Sequence, residues 1–333
     1  MIRTVDYHTA GEPFRIVVEG TETPPGDTVL DRRESAMRGP LDESRALLCN
    51  EPRGHADMYG GFLVPPDDDG ADLGVLFWHK DGFSTACGHG TIALATYAVE
   101  HGIVAAPDEG EATVTIDVPS GRVRAIVETR GGTVVAARFV NVPAYELARG
   151  VPVQTALGST TADLSYGGAV YASVDATSLG LSITPEHLGD LIAVGRAIKW
   201  ALNDSPAAQH PSDPRLSGVY GTIWYEHVGT TADGIHQRNC TVFADGEVDR
   251  SPCGSGTSAR LTLLTGEGLL PHGQVLTHQS VIGSTFHGRV LETVDAEGRA
   301  AHLTEVRGSA HRTGEHRFVL DPADPLGLGF QLR

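Results

Sequence analysis

Residues 249–259 read DRSPCGSGTSA, and residues 84–98 read STACGHGTIALATYA. Each stretch places a cysteine, Cys253 or Cys87, directly before a glycine-rich turn and a run that is typical of the opening of a helix. The two cysteines are 166 residues apart in a chain of 333 residues. Because the same unit, Cys-Gly-x-Gly-Thr, occurs once in each half, the sequence predicts two similar lobes that each contribute one thiol.

The chemistry of this unit follows from the properties of a helix N-terminus. The first turn of a helix has backbone N–H groups without intrahelical partners and carries the positive end of the helix dipole. An anion or a thiolate is stabilised there, and glycines let the backbone come close to it. We therefore expect a lowered thiol pKa at Cys87 and Cys253, which would make each a usable base or nucleophile near neutral pH.

Composition limits the classes of function that the chain can serve. Its 25 Lys and Arg residues against 42 Asp and Glu residues give a net charge of −17, and no basic run is present. This argues against nucleic acid and anionic membranes as partners, and leaves a small-molecule substrate. No apolar run is long enough to span a bilayer, and residues 1–14 lack the apolar core of a signal peptide. We expect a cytoplasmic protein with free thiols.

Local patterns predict a mixed α/β (α+β) architecture, with each lobe a sheet around one main helix. Strand-like runs and turns alternate through both halves, and the predicted helices begin near residues 41, 88, 185 and 254. The helix near residue 185 is indicated by Thr184-Pro185, a capping residue followed by proline. The sequence predicts a first lobe of residues 1–135, joined by the C-terminal end 320–333, and a second lobe of residues 136–319.

Other interpretations of the two cysteine units are weaker. Free cysteines are often buried as small hydrophobic residues, but two matched glycine-rich contexts argue against that here. Both units also fit G-x-G-x-x-A, the fingerprint of dinucleotide binding. That fingerprint needs a strand running into the first glycine, and Pro252 disfavours a central strand at this point.

Three further chemistries fit these residues less well. A hydrolase could pair Cys87 with His89 or His55, but Cys253 would then have no role. A zinc site would need closer Cys and His spacing than the sequence offers. A pyridoxal enzyme would need a Schiff-base lysine, for which only Lys80 and Lys199 are candidates. We therefore expect no metal and no cofactor.

Two thiols on opposite sides of one carbon suit racemisation or epimerisation. One sulfur removes a proton from one face of the α-carbon, the other delivers a proton to the opposite face, and exchanging the roles reverses the reaction. The two helix N-termini could hold a substrate carboxylate as its charge spreads in the transition state. Asp249, four residues before Cys253, could bind an ammonium or iminium group.

The pairing of CGHGT at Cys87 with DRSPCGSGTSA at residues 249–259 resembles the proline racemase family, which includes hydroxyproline 2-epimerases and trans-3-hydroxy-L-proline dehydratases. The resemblance extends over nearly the whole chain. It is carried also by HTAGEPFRIV, NEPRGHADMYG, YGTI, VFADGEVDRSP, SVIGSTFHGRV and FVLDPADPLGLGF.

The resemblance implies a two-base enzyme of the diaminopimelate-epimerase-like fold, with two pseudo-symmetric lobes and the active site in the cleft between them. It assigns the catalytic roles to Cys87 and Cys253, and a homodimer is among the assemblies expected. Substrate-binding residues of the family match Gly88, His89, Asp249, Gly254 and Ser255, and the aromatic candidates for the proline pocket are Tyr59, Phe77 and Phe243.

Small differences within the family bear on the substrate. The dehydratases carry threonine at the position of Cys253, so the thiol here favours racemase or epimerase chemistry. Typical 4-hydroxyproline epimerases place a histidine in the strand before the second unit. Here Tyr225 and His227 are not clear equivalents, and His236 is expected in an exposed loop. Ala86 replaces a methionine that is common before the first cysteine.

The sequence therefore predicts a proline racemase first, a 4-hydroxyproline 2-epimerase second and a trans-3-hydroxy-L-proline dehydratase third. Outside this class, the alternative is a noncatalytic protein that binds an amino acid without exchanging its α-hydrogen.

Overall fold

The structure, a computed structural model, describes residues 1–332. The chain forms two compact units, one of Met1–Ala137 with the segment that begins at Ser309, and one of Arg138–Gly308. The division differs from the predicted one at the C-terminal end. The strand Ala310–Phe318, which the sequence placed in the second lobe, pairs along its length with Ile2–Thr9 and belongs to the first unit.

The first unit holds three helices and a set of mostly antiparallel strands. Its helices are α1 (Val29–Ala36), α2 (Pro40–Cys49) and α3 (Gly88–Glu100). Its strands are β1 (Ile2–Thr9), β2 (Glu12–Glu19), β3 (Gly60–Val64), β4 (Leu73–His79), β5 (Gly82–Phe83), β6 (Gly110–Val118), β7 (Gly121–Arg130) and the C-terminal β18 (Ala310–Phe318). A further strand, β8 (Thr133–Val140), runs across the boundary between the units.

Strand pairing in the first unit builds a sheet around α3. The strand β1 lies between β18 and β2 and is antiparallel to both. On its other side β2 pairs in parallel with β3. The strand β4 pairs antiparallel with β3 and parallel with β6, which forms a hairpin with β7. The helix α3 packs against β1, β2 and β7 and is buried from Gly88 to Ala98. A helix that is apolar on all sides is typical of the centre of a core.

The second unit has two α-helices and nine strands. Its helices are α4 (Leu188–Asn203) and α5 (Gly254–Gly266). Its strands are β9 (Ala144–Thr155), β10 (Gly158–Tyr166), β11 (Val170–Asp175), β12 (Val219–Thr230), β13 (Gly234–Phe243), β14 (Glu247–Asp249), β15 (Val275–Ser280), β16 (Thr285–Ala296) and β17 (Arg299–Gly308).

Strand pairing in the second unit closes on itself. The order runs β9, β10, β11, β12, β13, β15, β16 and β17, and β17 pairs again with β9. The helix α5 packs against β9, β10, β16 and β17 and is buried from Gly254 to Leu264. The helix α4 packs on β12, where Trp224 Nε1 donates to the Leu191 carbonyl at 2.9 Å. Each unit thus buries one helix that begins directly after a cysteine of the repeated motif.

The helices show which local patterns were informative. Those predicted near residues 41, 88 and 254 are α2, α3 and α5. The helix α4 begins at Leu188 rather than at residue 185, because Pro185–His187 forms a short 3₁₀ turn first. The helix α1 was not predicted. Its N-cap is Thr28, whose hydroxyl accepts from the Asp31 N–H while the Asp31 carboxylate accepts from the Thr28 N–H.

Within residues 1–332, every helix is too short or too polar to cross a membrane.

Candidate active site

The first thiol caps the N-terminus of the central helix of its unit. Cys87 has an extended backbone, with φ −156°, and its Sγ accepts a hydrogen bond of 3.2 Å from the Gly90 N–H. The N–H of the first helical turn therefore points at the sulfur. A donor in this position, at the positive end of the helix dipole, stabilises the thiolate form of a cysteine.

His89 lies beside this thiol and is neutral. Its Nδ1 is 3.4 Å from Cys87 Sγ, and burial lowers the pKa of the imidazole to about 3. A hydrogen bond joins the ring to the backbone of Pro13, and because proline has no N–H, the imidazole must be the donor. A neutral imidazole that donates through one nitrogen has its second nitrogen as an acceptor, available to a thiol or to a substrate.

The second thiol has a different backbone conformation. Cys253 has φ 60° and ψ 102°, in the left-handed region that a residue with a Cβ seldom adopts. Its N–H donates to Ser251 Oγ at 3.1 Å, and its carbonyl accepts from the Thr257 N–H at 2.7 Å. These bonds hold Cys253 in a strained conformation, so the two matched motifs do not present their thiols in the same way.

The carbonyl just before Cys253 is held by two side chains. The Pro252 carbonyl accepts from Asn239 Nδ2 and from Thr257 Oγ1, each at 3.1 Å. Asn239 comes from β13 and Thr257 from the first turns of α5. The strained turn is therefore tied to both the sheet and the buried helix.

The environment of Cys253 favours the protonated thiol. Burial raises the pKa of Cys253, and the carboxylate of Asp249 raises it further. The nearby Gly256 N–H and the hydroxyls of Tyr171 and Thr241 lower this pKa, but by less than burial and Asp249 raise it. The expectation that the helix N-terminus lowers the pKa is therefore wrong for Cys253, because desolvation of the buried sulfur outweighs the helix N–H groups.

Asp249 ends β14 close to this thiol. The residue is 4% exposed, and its Oδ1 accepts from the Ser251 N–H at 2.8 Å. Burial raises the pKa of the Asp249 carboxyl to about 6, against the lowering effect of hydrogen bonds from Ser251 and Cys253. A buried carboxylate of this kind gains most from a cationic partner, such as the ring nitrogen of an amino acid.

We expect Asp249→Asn to stabilise the protein at pH 8 but not at pH 4. The folded-state pKa of about 6 lies above the ordinary value of 3.8, so ionising Asp249 costs the folded state stability as the pH rises between these values. The full cost, about 3 kcal/mol, is present above pH 6 and absent below the ordinary pKa. Urea unfolding at both pH values would measure it.

The exposed Asp233 of the same unit gives the matched control. At this exposed position Asp233→Asn removes a carboxylate that pays no cost of burial, so the stabilisation expected for Asp249→Asn should be absent. If Asp249→Asn lowered stability at pH 8 as much as at pH 4, the carboxylate would not carry the cost of burial assigned to it.

The predicted binding residues Gly88, Gly254 and Ser255 all lie in first helical turns and are buried. Ser255 Oγ makes no hydrogen bond with any residue among 1–332. A buried hydroxyl normally has a partner, because leaving it unsatisfied costs free energy. Ser255 therefore offers a donor to a ligand at the N-terminus of α5.

The three predicted pocket aromatics are all buried. Tyr59 contacts the His89 ring at 5.0 Å and donates its hydroxyl to Ser84 Oγ at 2.7 Å. Phe77 packs on Phe14 in the first unit, with ring centroids 6.0 Å apart. Phe243 stacks on Tyr220 in the second unit, at 5.7 Å. Tyr59 thus contacts a predicted site residue directly, and a pocket role for Phe77 and Phe243 stays a prediction.

The residues considered for a substrate hydroxyl are on strands. His236 lies in β13 and is half-buried, so its placement in an exposed loop was wrong. Tyr225 lies under the guanidinium of Arg260, with Cζ 3.7 Å from the ring centroid. His227 is exposed near the end of β12.

Sequence reasoning missed several residues around Cys253, among them Asn239, Thr241 and Tyr171. Asn239 and Thr241 alternate with apolar residues in a buried strand, so they share one face, and this signal could have been used. Tyr171 lies 82 residues before Cys253 in an apolar strand, and its hydroxyl is 3.8 Å from Cys253 Sγ. Nothing in the local sequence distinguishes it.

The sequence model described as "Proline racemase" matches residues 4–331. The chain belongs to the proline racemase family. It is 44% identical over its full length to a trans-3-hydroxy-L-proline dehydratase of Burkholderia cenocepacia and to a 3-hydroxyproline 2-epimerase of Burkholderia multivorans, covering 98% of each. This protein is therefore an enzyme of a family that holds both lyases and isomerases.

Solved structures agree with the family and identify the fold. A hydroxyproline epimerase from Agrobacterium vitis with bound trans-4-hydroxy-L-proline superposes with a TM-score of 0.92 at 32% identity, over 99% of this chain and 95% of that one. A probable proline racemase from Agrobacterium radiobacter gives the same TM-score and identity, over 100% and 97%. The predicted mixed α/β fold class is confirmed.

Proposed function

We propose that this enzyme is a two-base 2-epimerase of 3-hydroxyproline that works without a cofactor. Cys87 and Cys253 act as paired general base and acid on opposite faces of the α-carbon. The observation that carries the proposal is that each thiol directly precedes the buried N-terminus of a central helix. One thiol receives an N–H of its helix, and the other is kept protonated by its surroundings.

Binding of the substrate follows from the same two helix N-termini. The first-turn N–H groups of α3 and α5 offer hydrogen bonds to a carboxylate, and the Ser255 hydroxyl adds a donor without another partner within residues 1–332. Asp249 binds the cationic ring nitrogen, whose positive charge compensates the negative charge of the buried carboxylate. His89 is neutral, so it adds no positive charge beside the substrate carboxylate. The negative charge of the carboxylate is then stabilised by the N-termini of the two helices.

Substrate choice rests on the relatives. Their names point to a hydroxyl at C3 of the ring, in an epimerase and in dehydratases at the same 44% identity. The sequence alone favoured unsubstituted proline, whereas relatives at 44% identity are named for 3-hydroxyproline. Proline and 4-hydroxyproline therefore become comparison substrates.

A trans-3-hydroxy-L-proline dehydratase is the second candidate, because relatives of that name match as well as the epimerase does. Dehydration needs one base for the α-proton and a donor to protonate the departing hydroxyl, so a second thiol is not required. A thiol at residue 253, where the dehydratases of this family are expected to carry threonine, favours epimerisation.

The test follows the α-hydrogen by proton NMR in D₂O, with trans-3-hydroxy-L-proline, L-proline and trans-4-hydroxy-L-proline in separate tubes. We expect exchange of the α-hydrogen of the 3-hydroxy substrate and formation of cis-3-hydroxy-D-proline on a chiral column. Appearance of an unsaturated, dehydrated ring acid instead would identify a dehydratase. Exchange only with L-proline would return the assignment to a racemase, and binding without any exchange would reject an enzyme of these substrates.

A further inference from the structure

A buried tyrosine hydroxyl lies against the second thiol. Tyr171, in β11, is 1% exposed, and its hydroxyl oxygen is 3.8 Å from Cys253 Sγ. Its ring packs edge-on against Tyr220 at 5.8 Å, and Tyr220 stacks on Phe243. Tyr171 and Cys253 also share one buried cluster with Ile223. Packing of the Tyr171 ring against Tyr220, and of Tyr171 and Cys253 within one cluster, therefore holds the hydroxyl next to the sulfur.

The two-base reaction places a particular demand on the partners of Cys253. The sulfur must be a thiol in one direction of the reaction and a thiolate in the other. A carboxylate such as Asp249 can only accept, so it suits the thiol, whereas the Gly256 N–H can only donate, so it suits the thiolate. A tyrosine hydroxyl both donates and accepts, and it changes role by rotating its hydrogen.

We propose that Tyr171 is a positioning residue for Cys253 that accepts a hydrogen bond from the thiol and donates one to the thiolate. The role rests on the proposed two-base function, since only that chemistry needs both forms of this sulfur. Through this hydrogen bond Tyr171 helps to set how readily Cys253 loses its proton and becomes a base. Tyr171 itself does not contact the substrate.

The surroundings of Cys253 make such a partner necessary. Burial and Asp249 raise the pKa of this thiol, and the hydrogen bond with Tyr171 acts in the opposite sense. At Cys87 the side chain next to the sulfur is the neutral imidazole of His89, at 3.4 Å. The two thiols are thus tuned by different side chains, and removal of the Tyr171 hydroxyl should affect only one of them.

Tyr171→Phe tests this by removal of a single oxygen atom. We expect alkylation of Cys253 by iodoacetamide at pH 8.5 to slow roughly threefold. Less of the thiol is ionised in this variant, and the higher nucleophilicity of the remaining thiolate offsets only part of that loss. Cys87 is an internal reference, because both cysteines are 6% exposed. Peptide mass spectrometry separates the two rates.

In the same variant kcat should fall with little change in KM, and the acid limb of the kcat/KM profile should move to higher pH by about half a unit to one unit.

Tyr145→Phe is the matched control. Tyr145 is buried in the same unit, and its hydroxyl makes no hydrogen bond with any residue among 1–332. Its loss should leave both alkylation rates and the pH profile unchanged. Equal alkylation of Cys253 in wild type and a folded Tyr171→Phe variant would overturn the proposal, as would equal slowing at Cys87.

A second measurement covers the case in which Tyr171→Phe does not fold. Protein made with 3-fluorotyrosine has more acidic hydroxyls, which donate more strongly, so alkylation of Cys253 should speed up by a larger factor than alkylation of Cys87, whose neighbouring side chain is the imidazole of His89. No change in the rate at Cys253 would contradict the role. These rates need no substrate, so a wild-type enzyme that turns over none of the three amino acids would reject the proposed function and leave the contact of Tyr171 to be judged on alkylation alone.

Discussion

Cys253→Ser and Cys87→Ser are each expected to lower epimerisation by about 10²- to 10⁴-fold, the share that general acid and base groups usually contribute. A serine hydroxyl keeps the size and polarity of the thiol but does not ionise near neutral pH, so one face of the α-carbon loses its base in one direction. The rate of α-hydrogen exchange in D₂O, followed by proton NMR from both isomers of the substrate, measures the loss.

The remaining two cysteines serve as controls. Cys49 and Cys240 are fully buried, and burial raises the pKa of Cys240 to about 12. Cys49 donates to the Met58 carbonyl at 3.4 Å within an apolar cluster. Cys49→Ala and Cys240→Ala should therefore cost stability through packing while kcat stays within about twofold.

The Cys253→Ser variant also separates the two candidate functions. An epimerase loses inversion when the second thiol is gone, whereas a dehydratase needs only a hydrogen-bond donor at this position and would keep much of its activity. Dehydration by the wild-type enzyme that survives in Cys253→Ser would contradict the assignment as an epimerase. Loss of turnover in Cys240→Ala at unchanged stability would contradict the choice of the two catalytic thiols.

The sequence predicted the elements whose signals are local. The helices α3 and α5 follow from a glycine-rich turn and an apolar run. The closed order of strands in the second unit could not be predicted in this way. Its closing pair joins Ala301 to Tyr145, which lie far apart in sequence, and such pairings leave no local pattern.

The candidate site was predictable in its residues and less so in its physical chemistry. The repeated motif pointed to Cys87 and Cys253, but the left-handed backbone at Cys253 depends on hydrogen bonds with Ser251 and Thr257 that only the folded chain shows. The direction of its pKa shift depends on burial, which a motif does not report. The tyrosine beside the sulfur comes from a different strand, so only the fold brings it there.

Gly90→Ala and Gly256→Ala are expected to lower kcat/KM by about 10²-fold or more, because each added methyl group would collide with a thiol. A Cβ at Gly90 would lie 2.7 Å from Cys87 Sγ and 2.4 Å from a carbon of the Phe14 ring. A Cβ at Gly256 would lie 2.9 Å from Cys253 Sγ and 3.0 Å from Ile223 Cδ1. Steady-state kinetics in both directions, with urea unfolding of each variant, measures the effects.

The size of the effect follows from where these glycines lie. Both are in first turns of buried helices, where close packing leaves neighbours little room to move, so overpacking costs about 1–3 kcal/mol. Displacing a catalytic sulfur by a fraction of its diameter costs more in rate than in stability. Gly189→Ala is the control, since no atom lies within 4 Å of its added Cβ in α4, and alanine there should stabilise the helix by up to about 1 kcal/mol. Gly90→Ala is the more demanding of the two tests, because both contacts of its added Cβ are shorter than those at Gly256. Wild-type kcat/KM in Gly90→Ala would mean that the sulfur of Cys87 need not lie at the start of α3.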